Sequence, residues 1–221
     1  MGHIVVTGAA GILGGAVAKY LSGQGHDVTG IDLAAEAPGF PGNFVGGADL
    51  TAAAGAEAAI GKATAKAPID GLVNVAGGFR WETVVDGSPE SWDFLYKINV
   101  TTALHASRAA LPSLLSTKGA IVNIGAAATL KAGLGMGAYT ASKSGVARLT
   151  EALAEELKDK GVRVNAVLPS IIDTPANRAD MGEADAGKWV APEELAHVIA
   201  FLLSPGASAV TGANIPVTGR V

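Results

Sequence analysis

The chain has 221 residues, 49% of them apolar and 16% charged, with a net charge of −4 and no cysteine. That length and apolar content suffice for a core without staples, and the interspersed charges exclude a basic stripe for nucleic acid or a polybasic run for anionic lipid. The lack of cysteine removes a disulfide scaffold, a thiolate zinc site and a thiol nucleophile.

The N-terminus, Met1-Gly2-His3-Ile4-Val5-Val6-Thr7, has neither the basic start nor the long apolar run of a signal peptide, and Val6 stands where a myristoylation motif wants Ser or Thr. No apolar run approaches a membrane span, so a cytoplasmic protein with no membrane partner is expected. His3 to Thr7 reads as a buried strand, Gly8 to Gly11 as a turn and Ile12 to Ser22 as a helix. After the turn Gly23-Gln24-Gly25, Asp27 to Asp32 contains a second strand, and a Gly/Pro-rich loop follows from Pro38 to Gly47. Ala52 to Lys66 reads as a helix and Ile69 to Val75 as a strand. Ser88 caps a helix that begins at Pro89 and runs to about Leu115, adjusted near Pro112. Ala120 to Ile124 reads as a strand. Gly137 to Lys160 contains a long helix ended by Gly161, and Val162 to Leu168 is a strand. A helix from Pro192 to about Leu203 and a short strand from Ile215 to Val217 close the chain. The alternation predicts an α/β fold: one domain spanning 1–221, a Rossmann-type doubly wound parallel sheet with helices on both faces.

The first strand runs into Thr7-Gly8-Ala9-Ala10-Gly11-Ile12-Leu13-Gly14. Gly8 serves the tight turn, Gly11 the approach of a pyrophosphate and Gly14 the packing of helix on sheet, while the helix N-terminus offers free N–H groups to phosphate. Ala10, Ile12 and Leu13 share this dinucleotide-binding turn. No Gly-Lys-Ser/Thr follows, which excludes a nucleotide triphosphate loop. Asp32 ends the second strand, placed to accept from adenosine ribose hydroxyls and to repel a 2′-phosphate, so NAD(H) is favoured over NADP(H).

Tyr139 and Lys143 are four residues apart on one helix face. A neighbouring ammonium favours phenolate, which suits a tyrosine to exchange a proton while a nicotinamide exchanges hydride. The glycine loop, Asn74-Val75-Ala76-Gly77, Asn99, Tyr139 to Lys143 and Pro169-Ser170 together resemble, in order and spacing, the short-chain dehydrogenase/reductase family over essentially the whole chain. The resemblance implies an NAD(P)-dependent oxidoreductase, with Tyr139 as acid/base and Lys143 as its ribose-binding neighbour. It implies that Asn99 holds a water in the proton relay. Asp49 and Leu50 would flank the adenine, Asn74 to Gly77 would support the cofactor, and Pro169, Ile172 and Thr174 would hold the carboxamide. It also implies a homodimer or homotetramer formed through the two long helices.

Two departures stand out. The middle glycine lies one position earlier than in classical members. Ala126 stands thirteen residues before Tyr139, where those members carry a serine that bonds the substrate carbonyl. Three readings are open. The acceptor is an imine-like or quinonoid nitrogen that needs no serine, or Thr129 substitutes, or the chain binds NAD without turnover. The first is preferred, because Asp32, the Ala126 segment and Ala76-Gly77-Gly78-Phe79-Arg80-Trp81 locally resemble dihydropteridine reductases, with Phe79 or Trp81 stacking on a flat ring. A ketone or 3-oxoacyl reductase or an alcohol dehydrogenase is the alternative. An epimerase of the extended branch also uses a Tyr-Lys pair, but generally carries a larger substrate domain. Arg178, in the segment that shapes the substrate pocket, is read as a solvated cation. His3, His26, His105 and His197 have no ligand spacing, and no metal is expected.

Overall fold

A computed structural model describes residues 1–221. Seven strands form a single sheet. They are β1 (His3–Thr7), β2 (Asp27–Ile31), β3 (Asn43–Val45), β4 (Gly71–Asn74), β5 (Ala120–Ile124), β6 (Arg163–Pro169) and β7 (Asn214–Val217). Every neighbouring pair is parallel, in the order β3-β2-β1-β4-β5-β6-β7. The order reverses between β1 and β4, and a crevice opens at the carboxyl ends of strands at such a switch point.

Helices cover both faces. α1 (Ile12–Gly23) and α7 (Pro192–Leu203) pack on one, with Val17, Leu21, Leu195 and Ile199 fully buried between them and β1, β4 and β5. α2 (Ala53–Thr64), α4 (Thr102–Thr117) and α5 (Gly137–Leu157) pack on the other, over Leu72, Ile121 and Val164. Each fully buried Leu or Ile contributes roughly 1.5–3 kcal/mol, so the two apolar layers supply most of the drive to fold. No helix is long and apolar enough to cross a membrane.

The structure divides the helix expected from Pro89 to Leu115. α3 (Pro89–Tyr96) passes through a π-helical segment at Lys97–Thr101 into α4. Ser88 caps α3 by accepting from the Glu90 amide at 3.2 Å. Pro112 sits inside α4, which runs on to Thr117 and ends where Lys118 takes a left-handed φ of 55°. β3 lies within the segment expected to be a loop; three residues between glycines and prolines carry too little pattern to read as a strand. α5 ends as expected, with one 3₁₀ turn leading to Gly161 at φ 78°. The segment after β6 is pinned at both ends by a bridge between Ile172 and Val190, and it holds α6 (Pro175–Met181), capped by Thr174.

Candidate active site

A cleft of about 720 Å³ lies at the switch point. One end is the glycine loop. Gly8 has φ 63°, and a Cβ there would lie 2.7 Å from the Ala76 amide nitrogen. A Cβ on Gly14 would lie 2.2 Å from the Gly8 carbonyl oxygen, so the helix packs on the turn only as glycine. Gly11 caps α1 without a side-chain bond, which leaves first-turn N–H groups facing the cleft. Thr7 fixes β4 beside β1, its hydroxyl accepting from the Ala76 amide at 3.1 Å.

Asp32 stands at the end of β2. Its Oδ2 accepts from the Ala10 amide and its Oδ1 from the Ala34 amide, both at 2.9 Å. Each oxygen keeps a second acceptor site. Asp49 lines the next stretch and accepts from the Thr51 hydroxyl (2.6 Å) and amide (2.9 Å), which hold its carboxyl below the usual range. Leu50 lies beside it. Gly8, Ala10, Gly11, Ile12, Leu13, Gly14, Asp32, Asp49, Leu50, Ala76, Gly77, Phe79, Tyr139, Lys143, Pro169, Ile172 and Thr174 all line this one cleft. Ser170, within the expected Pro169-Ser170 motif, lines it as well, and sequence reasoning missed Thr51, Ile98 and Thr102, which line it too. Thr51 follows the Asp49-Leu50 pair directly, but the others carry no sequence signal.

Tyr139 and Lys143 occupy the opposite end, on the first turns of α5. Lys143 is buried, and its ammonium donates to the Ile124 carbonyl at 2.8 Å. Burial pushes Lys143 down to about 8 and Tyr139 up to about 12. The shift of Tyr139 comes from burial and runs opposite to the lowering expected from Lys143. A phenol in this state stays protonated at neutral pH.

Asn99 does not line the cleft. It is buried in the π-helical segment, accepts from the Gly78 amide (3.0 Å) and donates to the Gly78 carbonyl (3.1 Å) and Ser142 hydroxyl (3.0 Å). Its side-chain amide thus ties Gly78 to Ser142. Asn74 does not line the cleft either. It is buried beneath, donating to Ser107 (3.0 Å) and Asn123 (2.8 Å), and so ties β4 to α4 and β5. Thr129 does not line the cleft; its hydroxyl donates to the Ala126 carbonyl at 2.8 Å and closes a 3₁₀ turn. Ala126 itself is buried next to Gly125, which does reach the cleft wall. Trp81 leaves the cleft and covers Gly135, whereas Phe79 faces Tyr139 edge-on, ring centroids 4.9 Å apart at 81°. Arg178 stays at the surface outside the cleft, in a two-pronged ion pair with Asp173 at 2.6 and 2.7 Å.

Residues 8–219 match the family model described as enoyl-(acyl carrier protein) reductase. The chain belongs to the short-chain dehydrogenase/reductase family. It is 34% identical over 98% of its length to 2-(S)-hydroxypropyl-CoM dehydrogenase 3 of Xanthobacter autotrophicus, covering 94% of that protein. It is 38% identical over 78% of its length to the inactive 2-(S)-hydroxypropyl-CoM dehydrogenase 2 of the same organism, covering 82% of it. Among solved structures, the 3-ketoacyl-(acyl-carrier-protein) reductase of Brucella melitensis complexed with NADH superposes with a TM-score of 0.90 at 27% identity, covering 99% of this chain and 97% of that one. This member of the short-chain dehydrogenase/reductase family is thus an oxidoreductase by kinship, and its sheet is the fold that the family shares.

Proposed function

We propose that this oxidoreductase interconverts a small ketone and its secondary alcohol with NAD(H). The observation that carries the reading is that one cleft holds the glycine loop and Asp32 at one end and Tyr139 and Lys143 at the other. The fit to a dinucleotide rests on the cradle at Gly8 and Gly14, which a Cβ would fill, and on the uncapped first turn of α1. A bound nicotinamide supplies or accepts the hydride.

The chain's own residues do the rest. The first-turn amides of α1 hold the pyrophosphate, and Asp32 accepts from ribose hydroxyls while disfavouring a 2′-phosphate. Lys143 presents a positive charge beneath the ribose. As hydride reaches the carbonyl carbon, the Tyr139 hydroxyl gives its proton to the carbonyl oxygen, leaving an alcohol and a phenolate that the Lys143 ammonium stabilises. Phe79 offers an apolar wall to the substituent beside the carbonyl. Dimers or tetramers form through α4 and α5.

The hydroxypropyl and ketoacyl relatives favour a carbonyl or alcohol substrate over a quinonoid dihydropterin. The dihydropterin is kept as a second reading because Ala126 supplies no hydroxyl for a carbonyl oxygen. Steady-state oxidation of NADH and NADPH with short ketones, diketones, 3-oxoacyl thioesters and quinonoid dihydropterin tests the proposal. Turnover of NADH on a ketone, lost in Tyr139→Phe, is the expected result. Turnover on the dihydropterin alone overturns the substrate class, and tight NADH binding with no turnover on any acceptor overturns the catalytic reading.

A further inference from the structure

Each of the four residues after Gly78 makes a contact to α3, to α5 or to the turn that leads into α5. Phe79 meets the Tyr139 ring edge-on at 4.9 Å. Arg80 lies 3.9 Å over the Phe94 ring and donates to the Ser91 hydroxyl at 3.2 Å. Trp81 lies over Gly135, where a Cβ would stand 2.2 Å from the indole ring. The Glu82 amide donates to the Gly135 carbonyl at 2.9 Å. Gly78 itself is held by Asn99, which also bonds Ser142, whose hydroxyl donates to the Tyr139 carbonyl at 2.7 Å.

These contacts are what holds the segment, because Phe79 and Trp81 remain 55% and 57% exposed and neither is anchored in the core. Gly135 has φ 71°, so glycine there satisfies both the turn and the overlying ring. We propose that residues 78–82 form a strap that seats Phe79 against Tyr139, making Phe79 the positioning residue that orients the phenol and shields it from water, with the Trp81–Gly135 contact as its fastening. The inference deepens the reading of Tyr139 as the proton donor. It assigns the apolar wall of the substrate side to one residue and assigns the hold on that residue to a glycine at the foot of α5.

The test reads the ionisation of Tyr139 directly. The chain has three tyrosines, so phenolate absorbance of each variant minus the same variant carrying Tyr139→Phe isolates the one of interest. Phe79→Ala admits water and moves this ionisation from about 12 down toward the ordinary value near 10. Phe79→Leu, which keeps the bulk, restores most of the shift. The dissociation constant for NADH stays within about twofold, because the glycine loop is untouched, while kcat/KM falls about tenfold or more through misplacement of the acid. Gly135→Ala and Trp81→Ala shift both readouts in the same direction. Should Gly135→Ala fail to fold, Trp81→Ala decides the fastening alone. A Tyr139 ionisation unmoved in Phe79→Ala overturns the positioning role, and wild-type values in Trp81→Ala overturn the fastening. The absorbance readout does not need a substrate, so the strap stands or falls separately from the proposed activity.

Discussion

Removing the Asn99 amide is the perturbation that best separates holding a loop from relaying a proton. Asn99→Ala deletes three hydrogen bonds, two to Gly78 and one to Ser142, from a side chain that is 2% exposed. Ser142 keeps its bond to the Tyr139 carbonyl, so its loss is small. The Gly78 amide and carbonyl lose their partners, and each buried polar group so orphaned costs about 1–3 kcal/mol. Gly78 lines the cleft and recovers part of this from water. The sum is about 2–4 kcal/mol, which in a chain of this length lowers Tm by roughly 5–15 °C. Freed of its clamp, Gly78 carries Phe79 away from Tyr139, and kcat/KM falls by about ten- to a hundredfold. Thermal melts and NADH-linked turnover measure both effects. A Tm within about 2 °C of wild type with activity intact would refute the clamp. An unchanged Tm with activity abolished would return Asn99 to the proton relay.

Three other substitutions probe separate parts of the cleft. Gly14→Ala forces a methyl against the Gly8 carbonyl, which costs about 1–3 kcal/mol of stability and displaces the phosphate-binding turn; fluorescence titration should show NADH affinity at least about tenfold weaker. Ala126→Ser places a hydroxyl where classical relatives carry one, and ketone turnover should rise by about tenfold or more with NADH affinity unchanged; no rise would mean that the carbonyl oxygen is held elsewhere. Lys143, at about 8 in the folded chain against an ordinary 10.5, binds fewer protons there than when unfolded. Stability therefore rises with pH between those values, and Tm of wild type relative to Lys143→Met should climb from pH 8 to 10. Tyr139 has the opposite sign, because its folded value of about 12 lies above 10, and it withdraws stability above pH 10.

The fold was legible where local chemistry and tertiary demand agree. The β-branched run His3 to Thr7, the glycines at 8, 11 and 14 and the Ser88-Pro89 start each specify their element without help from distant residues. β3 escaped because its pairing with β2 is made by three residues in a Gly/Pro-rich stretch. The π-helical break at Asn99 escaped for another reason, because it serves a bond to Gly78, 21 residues away, that no periodicity records. The site divides along the same line. Residues that meet a ligand through the backbone, such as Gly8 and Gly14, or through a fixed helical offset, such as Tyr139 and Lys143, were placed in the cleft from sequence and lie there. Among side chains carried by loops, Phe79 lies there too, but others do not. Trp81 turned to Gly135 and Thr129 closed its own turn, while Asn74, at the end of the central strand β4, went beneath the cleft into a buried network with Asn123 and Ser107.

The central claim is hydride transfer within this cleft, with Tyr139 as the acid. A single turnover with NADH deuterated at the reactive carbon of the nicotinamide, mixed with enzyme and the best ketone of the panel, tests it most directly. The account predicts deuterium on the carbinol carbon of the product, with the burst of NADH oxidation abolished in Tyr139→Phe although that variant still binds NADH. A product without deuterium, or an equal burst in Tyr139→Phe, would contradict it.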